Sequence, residues 1–188
     1  TGALVALRTA VVIAMTTAQF AALTSAQVAA LNTNQISNLE TADLAALTTA
    51  NIRALTTAAI AALTTDEVVA LTTAQAAALT TAQIVALRTD PLAAMETADL
   101  VALGTAGVRA MNTAQIDALT TAQVAALRTT QVASLEASDL AAMGTAQFAA
   151  LGTAQIRQLS TTQISQLDSA DLAAPGTTQV AALTSAQM

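Results

Sequence analysis

Apolar and polar residues recur along this chain with a period of eight. Octads begin at Arg8, Thr16, Thr24 and every eighth residue up to Thr184, without insertion or deletion. Position 2 is almost always Thr or Ser, position 4 is usually Gln, and position 5 is mostly a branched apolar residue. Position 8 is Leu or Met except at Pro175. Positions 3, 6 and 7 are mostly Ala, as in TTAQVAAL at 120–127. This recurrence indicates a repeat protein, whose octads bury their apolar side chains only by stacking.

The octad pattern predicts one short helix per repeat. An unbroken helix would rotate its apolar stripe away from any one partner, since eight residues at about 100° each overshoot two turns by about 80°. A β-solenoid is disfavoured because Ala and Gln are poor strand residues. Thr120 and Gln123 have the spacing of a capping box, with the N-cap at position 1. A cap at position 2, where Thr is most uniform, is the alternative, and either register gives a helix of about six residues.

We therefore predict an all-α solenoid or superhelix of very short helices, with residues 1–188 forming a single array. Positions 5 and 8 share a face and form the predicted core. Position 6 points to solvent, because it carries Arg53, Arg109, Arg157 and Asp117. Met or Pro replaces Leu at position 8 only in alternate octads, which indicates helices paired into sixteen-residue coils. The chain opens and closes within a repeat, so we expect it to be a piece of a longer array.

The composition limits the function classes. The chain has no His, Cys, Trp or Tyr, and its six basic residues are all Arg. Because no His, Lys or Cys is present to activate a Ser or Thr hydroxyl, we predict no catalytic residue, no enzyme activity and no cofactor. The net charge of −6 disfavours a nucleic-acid surface. Thr, Ser or an acidic residue interrupts every octad, so no apolar run approaches the ~18–20 residues of a membrane-spanning helix.

Four octads carry paired acidic residues at positions 1 and 4. Two carboxylates three residues apart at a helix start are candidate ligands for Ca²⁺, although that ion takes six or more oxygen ligands. The preferred interpretation is that the helix dipole and unpaired N–H groups stabilise these acids, without a metal. The pairs are Glu40/Asp43, Glu96/Asp99, Glu136/Asp139 and Asp168/Asp171.

The phrase L-T-T-A-Q-(V/I)-A-A-L resembles the octad repeat tracts of large bacterial exoproteins of the adhesin-like or RTX-like kind. The resemblance covers essentially the whole chain. It implies a secreted or cell-surface location and a scaffold role, with self-association or neighbouring domains of the same long chain as partners. The leading hypothesis is therefore a structural spacer. The alternative is a binding module that presents a regular Thr array to a repetitive surface such as ice, because matched Thr spacing on an Ala-rich helical scaffold resembles helical antifreeze proteins.

Overall fold

The computed structural model describes residues 9–167 and 176–188, and this part of the chain contains twenty-one short helices and no strand. The helices are four to seven residues long, and each belongs to a different octad. Their bounds are Thr9–Val12, Thr17–Ala21, Ser25–Val28, Thr33–Ile36, Thr41–Ala46, Thr49–Ala54, Thr57–Ala62, Thr65–Val69, Thr73–Ala78, Thr81–Ala86, Thr89–Ala94, Thr97–Ala102, Gly104–Ala110, Thr113–Asp117, Thr121–Ala126, Thr129–Ala133, Ala137–Ala141, Thr145–Ala150, Thr153–Ile156, Thr161–Ser165 and Thr177–Val180. The prediction of an all-α solenoid with one helix per octad is confirmed.

The helix starts show which octad position is the N-cap. Thr120 has extended backbone angles, φ −72° and ψ 157°. Its Oγ1 accepts a hydrogen bond from the N–H of Gln123 at 3.2 Å, and its own N–H donates to Oε1 of Gln123 at 2.8 Å. This reciprocal capping box places the cap at position 1, the first of the two registers that the sequence allows. Leu127 returns to extended angles and ends the helix after six residues.

The core is formed by positions 5 and 8, as predicted. Val124 and Ile116 are fully buried, and Leu127 and Leu119 are nearly so. At position 6 the side chains of Arg53, Arg109, Arg157 and Asp117 are exposed, which confirms the assigned outer face. Position 7 is mostly Ala and lies between these extremes. None of the helices in the described residues combines the length and the apolar character that crossing a membrane requires.

The chain divides into two compact units, Thr1–Met95 and Glu96–Met188, which follow the same packing rule. In the first unit, Thr49–Ala54 packs against Thr73–Ala78, three octads further along. In the second unit, Thr121–Ala126 packs against Thr97–Ala102 and against Thr145–Ala150, again with a step of three octads. The structure thus differs from the predicted sixteen-residue coil, because a helix meets the third helix along the chain and not the second.

The alternation at position 8 misled the prediction of coil size. Met95, Met111 and Met143 are as deeply buried as Leu127. Leu and Met have similar volumes, so a core position accepts either of them with little change in packing. The substitutions therefore report tolerance at equivalent positions and do not mark two different helix environments.

Candidate functional site: a buried glutamine ladder

Most Gln residues at position 4 are buried, whereas Gln19 near the start of the described residues is exposed and Gln27, Gln179 and Gln187 are half-buried. The octad pattern predicts only a capping role for them. The oxygen Oε1 of each caps its own helix start. In the 80–87 octad, Oε1 of Gln83 accepts hydrogen bonds from the N–H of Thr80 at 2.9 Å and from its hydroxyl at 3.1 Å. Oε1 of Gln131 likewise accepts from the N–H of Arg128 at 2.9 Å, so this half of the capping box persists where the N-cap is not Ser, Thr or Asn.

The other end of the same side chain joins octads that are distant in sequence. Nε2 of Gln83 donates to the carbonyls of Ile52 at 2.7 Å and Leu55 at 2.8 Å. These carbonyls belong to the octad four places earlier. They lie at the end of its helix, where no further helical turn supplies an N–H to them. One side chain therefore satisfies an N–H at one helix start and carbonyls at another helix end.

This arrangement repeats in both units, and we call it the glutamine ladder. Its members donate from Nε2 to carbonyls 28 to 31 residues earlier, as Gln155 does to Leu127 at 2.7 Å and to Val124 at 3.1 Å. Packing therefore joins octads three apart, whereas the ladder joins octads four apart, so a coil contains between three and four octads. The ladder residues with these bonds are Gln75, Gln83, Gln131, Gln147, Gln155, Gln163, Gln179 and Gln187.

Other side chains provide the donor where position 4 is not Gln. Nδ2 of Asn51 donates to the carbonyl of Leu23 at 2.9 Å, which again lies four octads earlier. In the 88–95 octad, position 4 is Pro91, whose side chain has no donor. There Nη2 of Arg88, at the N-cap, donates to the carbonyl of Leu63 at 2.9 Å. The carbonyl at the end of the earlier octad thus receives a donor although the residue type has changed.

Two arginines at position 6 form a second kind of connection, in the opposite direction along the chain. Nε of Arg53 donates to the carbonyl of Ala78 at 3.2 Å, and Nε of Arg157 donates to the carbonyl of Ala182 at 3.2 Å. Each bond spans 25 residues and reaches the octad three places later. An exposed Arg thereby contributes to coil packing while its charge stays near solvent.

The structure places the predicted calcium candidates at helix starts. Glu40, Glu96 and Glu136 are exposed N-cap residues, while Asp43, Asp99 and Asp139 are buried at the third helical position. Asp168 and Asp171 lie outside the described residues. Within the described residues, no group of three or more acidic side chains comes together in a way that fits a metal ion.

Asp139 shows what an acid does at position 4. Its Oδ2 accepts a hydrogen bond from the N–H of Glu136 at 3.2 Å, which reproduces the capping half of the glutamine role. Burial raises the pKa of the Asp139 carboxyl above its ordinary value, the N–H of Glu136 opposes this, and the Glu136 charge adds to it. The aspartate is therefore a helix-start group in a desolvated position.

The chemistry of this site is hydrogen bonding between backbone N–H and carbonyl groups and the side-chain amides of Gln. A Gln side chain offers an acceptor and two donors, which suits it to join an N–H and a carbonyl that are far apart in sequence. Gln is the most frequent residue at position 4 although a capping box also accepts Glu, but this preference does not indicate which distant octad the amide group reaches.

Comparison with known proteins identifies the repeat. The family model of the ALTTAQ repeat matches the chain four times in tandem, over residues 1–33, 36–73, 92–129 and 132–169. Together these segments cover well over half of the chain. No curated protein and no solved structure matches it. The matched phrase contains the capping Thr and the ladder Gln described above, and the chain belongs to the ALTTAQ repeat family.

Proposed function

We propose that this chain is a non-enzymatic spacer, a scaffold within a large bacterial secreted or surface protein. The glutamine ladder is the observation that supports this proposal. Helices in both units have packing partners three octads away, and ladder Gln residues bond to carbonyls four octads away, so added octads would extend the same network. Stability in such an array depends on nearest neighbours and not on one closed core.

Small-angle scattering on lengthened chains tests the spacer proposal. Residues 64–95, four octads, are duplicated in register once and then twice. Helices packed about 8–10 Å apart would add that distance per coil, which raises the radius of gyration of a rod by roughly 2–3 Å each time. A compact body would gain only about 1 Å per 32 residues. A matched control carries the same added residues in scrambled order, and growth at the compact rate would refute the proposal.

The location proposal rests on the resemblance of the octad phrase to tracts in large bacterial exoproteins. An antibody against the purified array, applied to fractions of the cells that make it, tests this directly. We expect the parent protein in the medium or at the cell surface. Recovery from the cytoplasm alone would contradict a secreted or surface location.

A second candidate function is binding to a repetitive surface such as ice. The observation in its favour is that the Thr residues at position 2 are exposed at regular spacing, among them Thr49, Thr57, Thr81, Thr121 and Thr145. The hydroxyls at position 1 are less suited to it, because several of them bond within the capping box. A thermal-hysteresis measurement discriminates between the two functions, since a spacer gives no freezing-point gap.

A further inference from the structure

Glu67 stands at position 4 of the 64–71 octad, where the glutamine ladder has Gln. Its exposed fraction is 2%, the same as for Gln75 and Gln83. Its Oε2 accepts hydrogen bonds from the N–H of Thr64 at 2.6 Å and from the Thr64 hydroxyl at 2.9 Å. Glu67 therefore performs the capping half of the glutamine role without change.

The second oxygen of Glu67 occupies the place of the glutamine amide nitrogen. Oε1 is completely buried and has no hydrogen-bond partner. In the next octad, Nε2 of Gln75 donates to the carbonyl of Leu47 at 2.8 Å, and the carbonyl that holds the same place for Glu67 is that of Leu39. A carboxylate oxygen offers this carbonyl only lone pairs, whereas a protonated carboxyl oxygen is a donor.

We propose that Glu67 is a proton-dependent member of the glutamine ladder: its neutral acid donates from Oε1 to the Leu39 carbonyl, and loss of the proton breaks that connection. With the proton bound, Glu67 accepts at the helix start and donates to the distant carbonyl, as a ladder Gln does. Without the proton, a buried negative charge faces a carbonyl dipole, which is the more costly arrangement. The 64–71 octad is thus a point in the first unit at which pH changes local stability.

Burial is the main reason that the pKa of Glu67 lies above its ordinary value. The backbone N–H and hydroxyl of Thr64 act against this shift, the charge of Asp66 adds to it, and the backbone amide of Leu39 slightly opposes it. The ladder spacing of 28 residues independently relates Glu67 to the end of the 32–39 octad. Asp66 is thus the charged group on the same helix that favours the protonated form.

The two helices that pack against the Glu67 helix both carry charged groups. The 32–39 octad has no titratable side chain. The helix three octads earlier carries Glu40, which is exposed, and Asp43, which is buried. The helix three octads later carries Arg88 and Asp90, both exposed, and Arg88 donates to a backbone carbonyl. The charged side chains on these two helices are therefore three acids and one arginine, whereas Asp66 on its own helix is the charged group that raises the Glu67 pKa.

The direction of the pH effect follows from linkage. Because the folded state holds the Glu67 proton more tightly than the unfolded state, the stabilisation is complete below the ordinary pKa of 4.5. It is lost as the pH rises through the raised pKa of the folded state. Lowering the pH towards 4.5 therefore stabilises this octad. An ion-paired acid behaves in the opposite way, because protonation removes its stabilising charge.

Carbon-13 NMR of the carboxyl carbons tests the proposal directly in the full chain. The sequence has four Glu residues, and Glu40, Glu96 and Glu136 are exposed N-caps that serve as internal controls. The Glu67→Gln variant identifies the Glu67 signal by its loss. We expect Glu67 to titrate at higher pH than the other three. Titration of all four signals together would overturn the proposal.

Unfolding of the same variant provides an independent test. Glu67→Gln supplies a permanent donor, so its urea midpoint should match that of the parent near pH 4 and exceed it increasingly as the pH rises towards 8. The control is Asp117→Asn, which removes an exposed acid at position 6 and leaves Glu67 in place. A gain of the same size and pH dependence in this control would contradict the proposal. A difference for Glu67→Gln that is constant across this pH range would show that no proton is involved.

Discussion

Replacing Gln83 by Ala tests whether the glutamine ladder holds the coils together. The change removes an acceptor from the N–H of Thr80 and a donor from the carbonyls of Ile52 and Leu55. The Ile52 carbonyl keeps a hydrogen bond from the N–H of Leu55 at 3.2 Å, whereas the Leu55 carbonyl loses its Gln83 donor at 2.8 Å. The effect is therefore concentrated on one buried carbonyl and one helix start.

The magnitude follows from these groups. A buried carbonyl left without a donor costs about 1–3 kcal/mol, and the lost bond at the helix start contributes a further ~0.5–1.5 kcal/mol. With the methylene groups that Ala no longer buries, the free energy of unfolding should fall by roughly 2–5 kcal/mol. Gln83→Met retains the side-chain volume and removes the polar groups, so its effect reports the lost hydrogen bonds alone. Its loss in free energy of unfolding should be smaller than that of the Ala variant.

Urea denaturation followed by circular dichroism measures these changes, and amide hydrogen exchange localises them. The matched control is Gln166→Ala, a position-7 glutamine on the surface, which should stay within about 0.5 kcal/mol of the parent. Exchange should accelerate in the 48–55 and 80–87 octads, which the lost bonds connect. If Gln83→Ala and Gln166→Ala were equally mild, the ladder would contribute nothing and the coils would depend on the apolar core alone.

Three further predictions use the same denaturation assay. Leu119→Ala should lower the free energy of unfolding by ~2–5 kcal/mol, because Leu119 is almost fully buried, while Asp117→Ala on the exposed face should be nearly neutral; equal effects would refute the assigned core. Gly152→Thr should stabilise by roughly 0.5–1 kcal/mol, because φ at this residue is −74° and a hydroxyl completes the capping box. Gly104→Ala should destabilise by about 1–2 kcal/mol, because φ at Gly104 is +70°. Asp139→Asn should gain stability relative to the parent as pH rises, because the folded state has a raised Asp139 pKa and the parent loses that contribution at higher pH; a pH-independent difference would contradict this.

The helix starts and the core could be predicted because they depend on residues within one octad. Thr120 and Gln123 are three residues apart, and the capping box they form is a local geometry that sequence spacing specifies. The same holds for Val124 and Leu127, which share a helix face whatever the neighbouring octads do. Local rules of this kind do not depend on how the array is coiled.

The coil size and the second role of Gln could not be predicted, for a related reason. A strictly periodic sequence is the same three, four or five octads away, so it contains no sign of which octads meet. Gln83 bonds to Ile52 and Leu55 because the direction of the helices in space brings them together. No residue near Gln83 in the sequence indicates this contact. The octads that depart from the pattern are explained only by the structure. Arg88 at the N-cap supplies the donor to the Leu63 carbonyl that Pro91 at position 4 does not provide.

The absence of any insertion in twenty-odd octads follows from these two kinds of contact. Most described octads have a capping box of their own, helices pack three octads away and ladder Gln residues bond four octads away. In the 80–87 octad the Gln83 nitrogen lies 2.7–2.8 Å from its two carbonyl targets. One inserted residue would move position 4 of every later octad by one place relative to the carbonyls it serves, and would turn the apolar positions away from the core at the same point. An inserted octad leaves every one of these relations in register. A change of length that preserves this packing rule therefore adds or removes whole octads of eight residues.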